Sequence, residues 1–153
     1  MALDNDIKIL ETAPMLRLLG RQALRIVAIG AESQYVHGGE VLFRIGDDAE
    51  AGYVVQEGSF DLNSRDRAGN NMTAGKGTLL AEMALITPTT YTLTATAIEP
   101  STVVRISRNL FMKMLESYPD AARRLRDYIA ARSEQTVKDM QKVRAVLAGS
   151  SRS

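Results

Sequence analysis

The stretch Gly39-Glu40-Val41-Leu42-Phe43-Arg44-Ile45-Gly46-Asp47 sets Val41, Phe43 and Ile45 in alternation with Leu42 and Arg44, between a glycine and a Gly-Asp turn. A period of two sends successive side chains to opposite faces, the mark of a β-strand with one face buried. The same period continues on the C-terminal side. Tyr53 and Val55 carry it, then Phe60 and Leu62, then Leu93, Ala95 and Ala97, then Thr102, Val104 and Ile106. Gly38-Gly39, Gly46-Asp47-Asp48, Glu57-Gly58, Ala68-Gly69-Asn70-Asn71 and Glu99-Pro100 punctuate the runs. Short strands with turn signals about every 8–12 residues predict a sandwich, roll or barrel over 33–106.

One segment inside this region has a different character. Residues 79–86, Leu-Leu-Ala-Glu-Met-Ala-Leu-Ile, are good helix formers. They follow Gly75-Lys76-Gly77-Thr78 and stop before Pro88, which predicts one or two helical turns. The flanks of the region are helical in period. Residues 1–31 read as a short helix before Pro14 and a longer one over 15–29, ended by Gly30. Ser107 can cap a helix running to Ser117, with Leu110, Phe111, Met114 and Leu115 on one face. Tyr118-Pro119-Asp120 marks a hinge. A longer helix is then predicted over 119–147, carrying Leu125, Ile129, Val137, Met140, Val143 and Leu147. At 1.5 Å per residue it spans about 40 Å, more than a small domain covers. The apolar stripe in its far half predicts a protein partner or a homodimer through this helix.

Composition narrows the function. The chain has 153 residues, 45% apolar and 24% charged, which fits a single domain over 1–153. The net charge is +1, so no polybasic surface calls for nucleic acid. There is no Cys and a single His, His37. Thiolate catalysis and Cys-ligated metals are excluded, and zinc enzymes need more than one His. No apolar run is long enough to span a membrane, and no export signal opens the sequence, so the expected location is the cytoplasm. No catalytic constellation emerges, and an enzyme is not expected.

The order of elements and the quoted motifs resemble the cyclic nucleotide-binding domain family over residues 9–135. Gly39 to Asp47 is similar to the family's G-E-x-I-F-x-x-G-D strand and turn. Tyr53-Val54-Val55-Gln56-Glu57-Gly58 is similar to its Y-I-I-x-x-G strand. Val104-Arg105-Ile106-Ser107-Arg108 through Phe111 is similar to its lead into the hinge helix. The resemblance implies a mainly β protein with flanking helices, an antiparallel β-roll or jelly roll. It also implies a phosphate-binding cassette, G-E-[LIM]-A-L followed by P-R-[AT]-A-T, and here that cassette reads Ala81-Glu82-Met83-Ala84-Leu85-Ile86 and then Thr87-Pro88-Thr89-Thr90-Tyr91-Thr92.

By that resemblance the ligand-binding residues are Glu82, Met83, Ala84, Leu85, Tyr91 and Thr92, and the ligand is cyclic AMP or cyclic GMP, with no other cofactor. The Glu82 carboxylate would accept a hydrogen bond from the ribose 2′-hydroxyl, and the Ala84 and Leu85 amides would face the cyclic phosphate. Two positions depart from the pattern. Ala81 stands where the family has Gly. Tyr91 stands where it has the phosphate-pairing Arg, and no Lys or Arg occurs between Lys76 and Arg105. A Tyr hydroxyl can donate to a phosphate oxygen, but without charge. Losing a buried charged partner costs about 2–5 kcal/mol, so binding weaker than micromolar is expected. The expected function is a non-enzymatic ligand-sensing or regulatory module, in which ligand binding shifts the hinge and the C-terminal helix. The alternative is a degenerate domain that binds no cyclic nucleotide and serves as a dimerisation or docking module.

Overall fold

The fold is described from a computed structural model, which covers residues 2–64 and 72–132. Three helices open the chain: α1 (Ala2–Glu11), α2 (Pro14–Arg17) and α3 (Arg21–Gly30). The single helix expected over 15–29 is therefore two. Gly20 lies between them at φ 87°, a left-handed conformation that breaks one helix and restarts the next. Its carbonyl accepts from Leu24 N–H at 3.0 Å, which begins α3. Pro14 occupies the first turn of α2, where its missing N–H costs nothing.

Ten strands follow. They are β1 (Glu32–Val36), β2 (Val41–Phe43), β3 (Asp48–Ala49), β4 (Ala51–Glu57), β5 (Phe60–Asn63), β6 (Met72–Ala74), β7 (Leu79–Leu80), β8 (Thr89–Thr90), β9 (Thr94–Ala97) and β10 (Ser101–Ser107). They form one sheet in the order β1-β10-β4-β7, a second in the order β2-β9-β5-β6, and a small β3-β8 pair. Every pairing is antiparallel. The expected β-roll with flanking helices is thus the observed fold.

Two local outcomes differ from the sequence reading. Leu79 and Leu80 are not helical: they pair with Val54 and Tyr53 at the edge of the first sheet. Only Glu82–Leu85 forms a helical turn, a 3-10 turn called here the cassette turn. Helix propensity yields because the sheet buries Leu80 inside the roll. Strand β1 carries no alternating apolar signal, since it is an edge strand in which only Val36 is buried.

Two cores lie on either side of the first sheet. Tyr53, Val55 and Val103 point into the roll, where they meet Phe43, Phe60, Leu62 and Tyr91. Val54, Val104 and Ile106 point the other way, onto α1, α3 and the C-terminal helices. Both faces are buried, which explains the near-continuous apolar run of β4. Ser107 caps α4 (Arg108–Ser117) by accepting from Leu110 N–H at 3.1 Å. Tyr118 is non-helical, and the chain then resumes as a helix, described from 119 to 132. Its Ala121 and Leu125 join the helical core. Its Arg124 donates to the carbonyls of Leu18 and Leu19 at 2.7 and 2.9 Å, satisfying oxygens left open where α2 ends. The remainder of the expected helix, with Val137, Met140, Val143 and Leu147, lies outside the described residues. No described helix is long and apolar enough to cross a membrane.

Candidate ligand-binding site

The cassette turn bridges the two cores. Ala84 packs into the roll, and Leu85 packs among the helices. Ala81 brings the chain into the turn at φ 60° and ψ 46°. This is the only left-handed non-glycine among the described residues. The glycine of the family pattern thus answers to a backbone requirement that Ala81 meets under strain. Within the turn, Ala84 N–H donates to Ala81 O at 3.0 Å, and Ile86 and Thr87 N–H both donate to Met83 O at 3.1 Å.

Between this turn and the roll lies a cavity of about 420 Å³. Of the six residues assigned from the sequence, Glu82, Met83, Ala84, Tyr91 and Thr92 line it. Leu85 does not line it, because its side chain is fully buried in the helical core. The remaining wall is largely apolar, from Phe43, Leu62, Leu80 and Leu93. Sequence reading missed these four as a lining: Phe43, Leu62 and Leu93 lie in or at the end of runs it read as strands, while Leu80 was expected in the helical segment over 79–86.

Tyr91 is the pivot of this wall. It is buried and lies nearly parallel to Phe43, with ring centroids 4.1 Å apart and an angle of 13° between planes. Phe43 in turn stacks on Tyr53 at 5.7 Å. The Tyr91 hydroxyl donates to Ala51 O at 3.4 Å, a long bond. Its backbone binds the neighbouring strand–turn: Tyr91 N–H donates to Asp47 O at 2.9 Å, and Tyr91 O accepts from Gly46 N–H at 2.8 Å. Burial, with Tyr53 alongside, pushes the phenol well above its ordinary pKa, so the group stays neutral.

Two arginines absent from the sequence reading of the site hold the cassette. Arg108, the first residue of α4, donates through Nη1 to Ala49 O at 2.9 Å, Ala84 O at 3.2 Å and Thr87 O at 3.3 Å. Arg132, on the C-terminal helix, donates through Nη1 to Glu82 Oε1 at 2.8 Å. Its guanidinium lies 5.5 Å from the Tyr128 ring centroid. Glu82 raises the already high pKa of Arg132 further, through the hydrogen bond and its charge. The turn is thus fastened to the helical segment that follows the roll, at Glu82 and again at Ala84 and Thr87. Arg108 lies in the quoted lead into the hinge helix, but no local pattern tells that it or Arg132 holds the cassette, since each reaches it across more than twenty residues.

Known proteins resemble this chain in sequence or in fold. Lysophospholipase nte1 of Neurospora crassa is 33% identical over 107 residues, which is 68% of this chain but 7% of that protein. A cyclic nucleotide-binding-like protein of Brucella abortus is 35% identical, with a TM-score of 0.64, over 72% of this chain and 97% of that one. The N-terminal domain of a transcriptional regulator from Streptomyces coelicolor shares the fold with a TM-score of 0.78 at 24% identity, over 86% of this chain and 94% of that one. The sequence model of the cyclic nucleotide-binding domain matches residues 33–118, a span that runs from β1 through the roll and the cassette to the hinge at Tyr118, and the chain accordingly belongs to the cyclic nucleotide-binding domain family.

Proposed function

We propose that this chain is a non-enzymatic sensor module whose output is the position of its C-terminal helix. One observation carries the reading: Glu82 lines the cavity and is also the carboxylate that Arg132 grips. A ligand hydroxyl that takes this carboxylate competes with the helix for it. Such a ligand therefore interacts differently with the docked and released helix, as any ligand-driven shift requires. Arg108 supplies a second route, because movement of Ala84 and Thr87 is felt at the first residue of α4. The helix passes the signal to a protein partner or to a second copy of the chain, with the cytoplasm as the working compartment. The lysophospholipase relatives match over 7–8% of their length, so their chemistry is not carried over.

The test is calorimetric titration with cyclic AMP, cyclic GMP and a cyclic dinucleotide, paired with amide exchange over 119–132. Binding of cyclic AMP and cyclic GMP is expected to be weaker than micromolar, with faster exchange in the helix on saturation. Binding without change in the helix removes the proposed output. A second reading, a docking module that takes no ligand, is favoured by the burial of Tyr91 against Phe43, which gives this side chain a packing role. No saturable binding of any nucleotide or nucleoside selects that reading.

A further inference from the structure

An anion taken out of water needs a cation or converging N–H donors to replace its hydration. Among the described residues lining the cavity, Glu82 is the one charged side chain, and it is acidic. Arg132 neutralises that carboxylate but does not itself line the cavity. Tyr91 holds its proton, and its hydroxyl is turned to Ala51 O. The Ala84 amide donates within the turn. A phosphate placed here would meet a carboxylate, apolar walls and only the uncharged hydroxyls of Thr89, Thr90 and Thr92. An uncharged ring with hydroxyl groups meets suitable chemistry instead. Phe43, Leu62, Leu80 and Leu93 offer apolar contact, while Glu82 accepts from hydroxyls and Thr90 and Thr92 lie exposed at the rim. The volume of about 420 Å³ falls in the range of small-molecule sites.

Resting on the sensor reading, we infer that this cavity takes a neutral nucleoside in preference to the matching cyclic nucleotide, with the sugar diol on Glu82. The absence of charge on the ligand is then a property of the site and not a sign of its decay. The diol displaces Arg132 from Glu82, which links this ligand class to the same helix output.

Matched titrations of the full chain test the inference: adenosine against cyclic AMP, and guanosine against cyclic GMP. The neutral member of a pair is expected to bind at least threefold more tightly. Its affinity should not fall between about 50 and 500 mM salt and should rise slightly, because screening weakens the exposed Glu82–Arg132 pair that the diol displaces. Tyr91→Arg should reverse the order by tenfold or more. Should that variant fail to fold, Glu82→Ala provides the second check, with an expected loss of about tenfold in nucleoside affinity, the typical effect of removing one charged hydrogen-bond partner. Cyclic AMP binding tenfold or more tightly than adenosine in the unmodified chain overturns the neutral-ligand inference and leaves the sensor reading standing. No saturable binding by any of the four overturns both.

Discussion

Glu82 on the cassette turn and Arg132 on the C-terminal helix form an ion pair at 2.8 Å, across 50 residues of sequence. Both side chains are partly exposed, at 34% and 57%. A pair in that setting contributes on the order of 0–1 kcal/mol. It is strong enough to bias the helix and weak enough for a ligand to displace.

Arg132→Ala should therefore lower stability by less than about 1 kcal/mol in urea denaturation. It should raise the affinity of a ligand that uses Glu82 by up to about fivefold, the equivalent of that energy. A destabilisation as large as that of a core truncation would give Arg132 a structural role instead.

Ala81→Gly should stabilise the protein. Ala81 sits at φ 60°, where a Cβ costs about 1–2 kcal/mol and glycine does not pay it. The freer unfolded chain takes back about 0.4–1 kcal/mol, for an expected net gain of about 0.5–1 kcal/mol. A loss of stability in the same denaturation experiment would show that the packing of the Ala81 methyl against the roll outweighs the strain.

Gly58→Ala should be severely destabilising. Gly58 lies at φ 91°, and a Cβ there would fall 2.1 Å from Ser101 Oγ and 2.7 Å from Ser101 Cβ. Ser101 is buried and donates to Glu99 O at 2.7 Å, so it has little room to retreat. A cost above about 2 kcal/mol is expected from strain and overpacking together, read as a shift of the thermal midpoint. A midpoint unchanged within error would contradict the tight Gly58–Ser101 contact.

Arg108→Met keeps the stem and removes the guanidinium that donates to Ala49, Ala84 and Thr87 carbonyls. Loss of these charged hydrogen bonds at a partly exposed site should cost about 1–2 kcal/mol. Amide exchange over 82–87 should rise more than exchange in β4 and β10. Uniform acceleration across the chain would mean that Arg108 supports global stability and does not hold the cassette in particular.

What could be read before folding is what depends on near neighbours in the chain. Tyr53 with Val55 and Phe60 with Leu62 alternate because each strand buries a face in the roll. In β2 a register shift between Val41 and Phe43 breaks the expected alternation, and Leu42 packs against the roll beside Phe43. Pro14, Gly30 and Ser107 mark helix boundaries through backbone chemistry carried by one residue. The cassette was legible as a run of residues, and it brought Glu82, Met83, Ala84, Tyr91 and Thr92 to one cavity.

What the tertiary structure alone decided involves partners far apart in sequence. The polar strand β1 forms because β10 offers it a free edge, and that demands no apolar signal of its own. Leu79 and Leu80 leave their helical preference because β4 pairs with them and the roll buries Leu80. Tyr91 becomes a wall of the cavity only when Phe43 comes to lie 4.1 Å from it. Arg108 and Arg132 become part of the site only when the roll closes and the last helix packs beside the cassette. Periodicity reports which face of a segment is buried, whereas the partner that covers that face is set by chain closure, which no local pattern encodes.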